Sequence, residues 1–239
     1  MSGRSGFGLW CDRIVRRIPL WLRPGRSRIG HALVPVSRQF GLDRGLPIDR
    51  WYIERFLAAN VEVIRGRVLE CGDGTYIARF GGVWVERSDV LHPQNGNPAA
   101  TLVGDFTSGA GIPPAAFDTL VLTQVLPFIY DVHAAARGIH NSLKPGGTAL
   151  ITVPGISQIS RFDMDRWGDY WRFTDRSLTR LLEEAFPGGQ VRVESWGNSL
   201  AASAFLYGLA AEELDEAEML HRDQDYQLLL TAVVRKAGE

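Results

Sequence analysis

Short apolar runs recur along the second part of this chain, each followed by glycine- or acid-bearing turns, and this alternation constrains the fold most. The runs cover residues 67–71, 83–86, 100–103, 117–124 and 148–153. The fourth, Phe117-Asp118-Thr119-Leu120-Val121-Leu122-Thr123-Gln124, is close to continuously apolar, as a central strand covered on both faces must be. Helical patterns fall between the runs: residues 75–80, 131–143 stopped by Lys144-Pro145-Gly146-Gly147, and a helix through Ala185 capped by Thr174-Asp175. Strand alternating with helix is the pattern of a parallel α/β sheet. Further strands are expected at 190–196 and 226–234, with a small-residue helix over 199–213 between them. Ahead of the sheet, Pro47 to Leu57 has apolar residues at helical spacing, with proline at a permitted first-turn position.

With 239 residues, 45% of them hydrophobic and 10% aromatic, the chain suffices for one sizeable packed domain plus embellishments. A formal net charge of -1 argues against a general nucleic-acid binder, but the charge is uneven. Residues 1–40 carry Arg4, Arg13, Arg16, Arg17, Arg23, Arg26, Arg28 and Arg38 against Asp12 alone. Residues 212–225 reverse this, with Glu212, Glu213, Asp215, Glu216, Glu218, Asp223 and Asp225 against Arg222. The basic arm, read as a helix near 9–18 followed by extended chain, mixes its arginines with Trp10, Ile14, Val15, Ile18 and Trp21. That mixture suits peripheral contact with a membrane surface, or packing on the chain's own domain. Cys11 and Cys71 form neither a disulfide framework nor a metal-ligand spacing. With no spanning apolar run and no signal peptide, the expected location is cytoplasmic.

The chemistry concentrates at Val68-Leu69-Glu70-Cys71-Gly72-Asp73-Gly74-Thr75-Tyr76. Strand, glycine turn and helix present a bare backbone and a helix N-terminus to a ligand, and Glu70 could accept hydrogen bonds from ribose hydroxyls. Gly-x-Gly alone also describes a plain tight turn. Further polar residues fall at or past later strand ends: Asp89 beyond the second, Asp105 with Phe106 beyond the third, Thr123 and Gln124 at the fourth. In an open parallel sheet these ends share one edge, where ligands bind. One carboxylate would take a ribose, another an adenine amino group, and Phe106 would lie against the ring.

These segments together resemble the class I S-adenosylmethionine-dependent methyltransferases over residues 67–235. Val68 to Gly74 looks like the glycine-rich first motif and Gly104-Asp105-Phe106-Thr107 like the adenine-contacting segment. Phe117 to Leu126 looks like the fourth-strand motif, and Leu143-Lys144-Pro145-Gly146-Gly147 like the turn before strand five. The resemblance implies a Rossmann-like, seven-stranded, mostly parallel sheet with helices on both faces. It divides the chain into a basic arm, 1–46, and a methyltransferase-like domain, 47–239. It also implies S-adenosylmethionine as cofactor, contacted by Glu70, Gly72, Asp73, Gly74, Asp89, Asp105, Phe106, Thr123 and Gln124. One departure stands out: the family's further glycine is replaced here by Tyr76.

Asp169-Tyr170-Trp171-Arg172-Phe173-Thr174 resembles a segment of methyltransferases that accompany sugar and polysaccharide biosynthesis. Asp169, Tyr170, Trp171 and Arg172 would then bind a sugar or glycan-related acceptor for O-methylation, rings covering C–H faces and charged groups binding hydroxyls. The alternative for this loop is a lid, with Trp171 in the core and Arg172 paired to Asp169. His92, Asp163, Asp165 and Asp169 are candidates for the general base, with no ranking among them. The other reading of the whole chain, motivated by Tyr76 and the basic arm, is a catalytically silent methyltransferase-like scaffold. A nicotinamide-dependent oxidoreductase fits less well, because the turn lacks Gly-x-Gly-x-x-Gly spacing.

Overall fold

The computed structural model describes residue 29 and residues 32–238. The expected helix near 9–18, Cys11 and the proposed membrane-contacting part of the arm lie outside these residues. Among the described residues no helix is long and apolar enough to cross a membrane.

Seven strands form one sheet: β1 (Gly66–Cys71), β2 (Val85–His92), β3 (Leu102–Val103), β4 (Phe117–Thr123), β5 (Leu143–Pro154), β6 (Gln190–Trp196) and β7 (Leu229–Arg235). The helices are α1 (Ile48–Ala58), α2 (Thr75–Phe80), α3 (Val132–Ser142), α4 (Arg161–Met164), α5 (Asp175–Ala185), α6 (Ser199–Leu206) and α7 (Glu216–Leu220). The strand order is β3-β2-β1-β4-β5-β7-β6. Strands β1 to β5 pair in parallel, and β7 runs antiparallel to β5. The expected seven-stranded, mostly parallel α/β sheet is therefore present. Its order reverses between β1 and β4, so the carboxyl ends of these two strands flank the crevice in which such sheets hold ligands.

Local chemistry accounts for the differences from expectation. The second strand begins at Val85, not Val83, because Gly82 takes φ 58° and Gly82–Trp84 forms a 3-10 turn. Val83 and Trp84 are 90% and 69% exposed, so their apolar character gave a misleading strand signal. Asp89, expected in a loop past the strand, thereby falls inside β2, opposite Leu69 of β1. The helix expected over 199–213 stops near Leu206, where Gly208 takes φ 73°; Ala211–Glu213 forms a separate 3-10 turn. β3 has only two residues, and β7 starts three residues later than expected.

The chain divides into two compact units. One comprises Trp196–Leu228 with the described residues up to Tyr52; the other comprises Ile53–Ser195 and the chain from Leu229 onward. In the first, part of the acidic run is structural: Glu213 pairs with Arg44 at 2.5 and 3.0 Å and is 7% exposed. Asn198 caps α6 and donates to the carbonyls of Glu218 and His221. The second unit holds the main core, including Leu69, Leu120, Leu122, Ile139, Ile151 and Val234. There α3 lies so close to the chain after β3 that a Cβ on Gly138 would stand 1.9 Å from the Phe106 carbonyl oxygen. Gly138→Ala is accordingly expected to destabilise by about 2 kcal/mol through overpacking. An unchanged midpoint in urea unfolding would contradict the close approach.

Candidate functional site

At the end of β1 the chain reverses through Gly72 (φ 120°) and Gly74 (φ 79°), both in conformations that favour glycine. A Cβ on Gly72 would meet nothing within 4 Å, so open space adjoins this backbone. Asp73 is exposed, and its Oδ1 accepts from the Thr75 amide at 3.0 Å. Glu70 behaves differently. It is 1% exposed, and its carboxylate accepts from the amides of Tyr76 (3.2 Å) and Ile77 (2.7 Å). It thus satisfies the first amides of α2 from beneath instead of facing the open edge. Burial and the Glu70 charge push the partly buried Cys71 thiol up to about 12, which keeps it protonated near neutrality.

Tyr76, in place of the further glycine, sits on α2 with 8% exposure and stacks on Phe80, centroids 6.3 Å apart. Its backbone is helical, so no left-handed conformation requires glycine at this position; what the tyrosine changes is occupied space.

The end of β2 is arranged unlike the expectation. Both oxygens of Asp89 are committed: Oδ2 to Arg67 Nε at 2.7 Å, and Oδ1 to Arg87 at 3.1 Å and Thr101 at 3.2 Å. Its side chain is 2% exposed. Burial pushes this carboxyl up, but the two guanidinium groups outweigh it and hold it below the usual carboxylate range. The polar side chain that does lie at the strand's carboxyl end is His92. Its Nδ1 stands 2.7 Å from the Gln94 carbonyl oxygen, shorter than the 3.3 Å from the Gln94 amide. The closer contact has Nδ1–H donating to the carbonyl, the tautomer whose neutral ring carries its lone pair on Nε2. In the following loop, Asn97 Nδ2 donates to the Gly72 carbonyl at 2.8 Å and latches that loop to the glycine turn.

Past β3, Asp105 is exposed and accepts from the Thr107 amide at 2.8 Å, the Thr107 hydroxyl, and Ser108 Oγ at 3.0 Å. Burial raises its pKa, yet these hydrogen bonds prevail and keep it low, so it is anionic near neutrality. The Phe106 ring is 3% exposed and belongs to the core, with no broad face left for a ligand. At the end of β4, Thr123 is partly buried and Gln124 takes φ 56°, its amide donating to the Thr152 carbonyl at 2.9 Å. A left-handed non-glycine residue at the crevice is the kind of strain that gathers at functional sites.

Beyond β5 the loop folds back to the carboxyl edge, and the Phe173 amide donates to the Pro154 carbonyl at 2.9 Å. Asp169 and Arg172 form a forked ion pair at 2.6 and 2.9 Å; Asp169 also accepts from the Ser160 amide, and its side chain is 2% exposed. Burial raises its pKa, but Arg172 and Ser160 more than offset this and hold it low. Trp171 and Tyr170 are 36% and 48% exposed, so Trp171 is not a core residue. Tyr130, 71% exposed, lies 5.4 Å from the Tyr170 ring and 6.1 Å from that of Trp171. Trp171 Nε1 donates to the carbonyls of Ile129 and Tyr130 at 3.1 Å, fixing the indole. Asp163 accepts from Ser160 Oγ (2.5 Å) and Trp167 Nε1 (3.1 Å), and Asp165 is exposed at the end of α4. The Trp167 ring meets His92 edge-on at 5.8 Å, which joins this loop to the end of β2.

The structure therefore gathers Gly72, Asp73, Gly74, Asp105, Thr123 and Gln124 on the carboxyl edge with His92 and an aromatic cluster. It turns Glu70, Asp89, Asp169 and Arg172 into supports, and leaves Phe106 in the core. Sequence reasoning missed Asn97 and Tyr130. Asn97 could have been suspected from its Asn-Gly-Asn surroundings, but the tyrosine gave no separate signal.

A family model for the methyltransferase domain matches residues 50–198. No curated protein matches the chain. Among solved structures the fold is similar to a chain of a Haloferax volcanii complex containing the Trm112 methyltransferase activator. That match has TM-score 0.55, 18% identity, and covers 84% of this chain and 95% of that one. It is also similar to the N-methyltransferase NodS of Bradyrhizobium japonicum WM9 in complex with S-adenosyl-L-homocysteine (TM-score 0.52, 16% identity, coverage 82% and 90%). A third is the [4+2]-cyclase SpnF (TM-score 0.53, 16% identity, coverage 87% and 89%).

Proposed function

Because the chain belongs to the methyltransferase-domain family, we propose that it methylates a hydroxyl oxygen of a sugar or glycan-related acceptor. S-adenosylmethionine is the cofactor, and when bound it supplies an electrophilic methyl group on a positively charged sulfur. The carboxyl edge fits it: the space beside Gly72 admits a ligand against bare backbone. In this reading the exposed Asp73 takes the ammonium of the methionine end, and Asp105 the adenine amino group. Thr123 and Gln124 line the crevice at the end of β4. Glu70 and Asp89 hold the turn and the second strand in place and touch no ribose.

The observation that carries the acceptor class is the Tyr130, Tyr170 and Trp171 cluster at the carboxyl ends of β4 and β5. Its partly exposed rings suit the apolar C–H faces of a sugar, and the Asp169–Arg172 pair stiffens the loop that carries two of them. His92 serves as the base in this reading: with Nδ1–H donating to Gln94, the neutral ring would offer its Nε2 lone pair to a hydroxyl proton. Asp169 does not take that role in this reading, since its buried carboxylate is held by Arg172. Holding acceptor and donor in line accounts for much of the rate in such a displacement.

The test is release of S-adenosylhomocysteine from S-adenosylmethionine in the presence of neutral oligosaccharides, compared with amine acceptors. Transfer to amines alone would overturn the oxygen assignment. Trp171→Ala is expected to raise KM for the sugar roughly tenfold, the loss of one stacked ring. His92→Ala should lower kcat about 100-fold, at the low end for a lost general base, while calorimetry with S-adenosylhomocysteine stays unchanged. An unaltered kcat would remove His92 as base. A second reading, a silent module, is favoured by Tyr76 filling the glycine position. Cofactor binding without transfer to any acceptor supports it, and turnover dismisses it.

A further inference from the structure

A cavity of about 540 Å³ lies at the amino edge of the sheet, where Arg65, Asp118, Arg192 and Arg235 surround the Pro145–Thr148 turn. From Thr148, which lines the cavity within β5, to Pro154 at the carboxyl end of that strand is six residue steps, which at about 3.3 Å each put the cavity roughly 20 Å from the carboxyl edge. It is a separate place from the glycine turn.

Its charge is one-sided. Asp118 is already satisfied, taking Lys144 Nζ at 2.7 Å and the Arg67 amide at 2.8 Å. Arg192 stands 3.8 Å from Glu194 and 3.4 Å from Asn60 Oδ1, a loose pairing at 62% side-chain exposure. Arg235 Nε donates to the Gly146 carbonyl at 3.3 Å, which fixes its head on the rim of the turn. The Arg65 guanidinium makes no ion pair among the described residues. Three guanidinium groups and a single carboxylate, Asp118, thus line one concavity. Such crowding of like charge is unfavourable until an anion enters. Val63, Val191 and Val233 contribute apolar lining.

We propose that this amino-edge cavity binds a small organic phosphate, its phosphate held by Arg65, Arg192 and Arg235 and its carbon skeleton lying on the three valines. Planar guanidinium forks match phosphate oxygens, which an ammonium group does less well. The volume lies within the range of small-molecule sites, about 300–1,000 Å³. The assignment stands whether or not the carboxyl edge transfers methyl groups.

Calorimetric titration of the full chain with ribose 5-phosphate and with inorganic phosphate, at constant ionic strength, tests it. Ribose 5-phosphate is expected to saturate one site and to bind more tightly than inorganic phosphate. Arg65→Ala with Arg235→Ala should weaken it at least tenfold, whereas Arg180→Ala, removing an exposed arginine elsewhere, should leave it unchanged. Equal weakening by R180A, equal affinity for the two ligands, or no saturable binding overturns the proposal. Should the double variant fail to fold, R192A provides the same readout, and undiminished binding by it overturns the proposal as well.

Discussion

Glu70→Ala is expected to lower the stability of the protein by about 3 kcal/mol and to abolish cofactor binding at accessible concentrations. The carboxylate lies 1% exposed beneath a six-residue helix and receives the amides of Tyr76 and Ile77. Its removal leaves two buried donors without acceptors, each costing about 1–3 kcal/mol. A helix as short as α2 has little independent stability to absorb that loss. Because the same amides position the backbone that follows Gly74, the turn should lose its shape even where the sheet survives. Glu70→Gln keeps an acceptor oxygen and should retain about half the stability. Urea unfolding together with calorimetry on S-adenosylhomocysteine measures both effects. An alanine variant within about 1 kcal/mol of the parent would show that the turn holds itself.

Asp89→Ala should cost a similar amount, about 3–5 kcal/mol, the range found when one partner of a buried ion pair is removed. Arg67 is the sensitive partner: its side chain is 24% exposed and its guanidinium lies 4.7 Å from the centre of the Phe117 ring. Arg87, at 61%, can return to water. The pH dependence follows from the direction of the shift. The folded-state pKa of Asp89 lies below its ordinary value, so its stabilisation is complete above about pH 4, the unfolded value. It is lost as the pH falls through the lower folded value. Asp105, Asp118 and Asp169 shift the same way, so stability should hold near neutrality and decline on the acid side. In Asp89→Asn the acid decline should be shallower. An acid limb identical to the parent's would show that Asp89 carries none of it.

The architecture was legible because it depends on burial patterns that the sequence displays directly. β6 runs over Gln190–Trp196 as read, and the doubly covered β4 differs from its expected run only by Gln124. β2 was misread because the exposed Val83-Trp84 pair imitates a strand, while the strand residues Glu86, Arg87 and Ser88 are polar and exposed. The candidate site was legible in position more than in role. Acids at strand ends do lie near the crevice, but whether each faces ligand or interior depends on partners distant in sequence. Arg67 lies 22 positions from Asp89, and the amides that Glu70 receives belong to the next helix. Tyr130 could be joined to Tyr170 and Trp171 only by the packing of two loops about 40 positions apart.

The Asn97 latch sets a time scale as well as a shape. One exposed hydrogen bond ties its loop to the carbonyl of Gly72, and a bond of that kind is worth about 1 kcal/mol net. At that value roughly one molecule in six is unlatched at any moment, and loop motions of this size recur in nanoseconds to microseconds. Access to the turn from that side is then never the slow event of a turnover cycle. Removing the side chain should leave the association rate of a nucleoside ligand almost unchanged and shorten its residence.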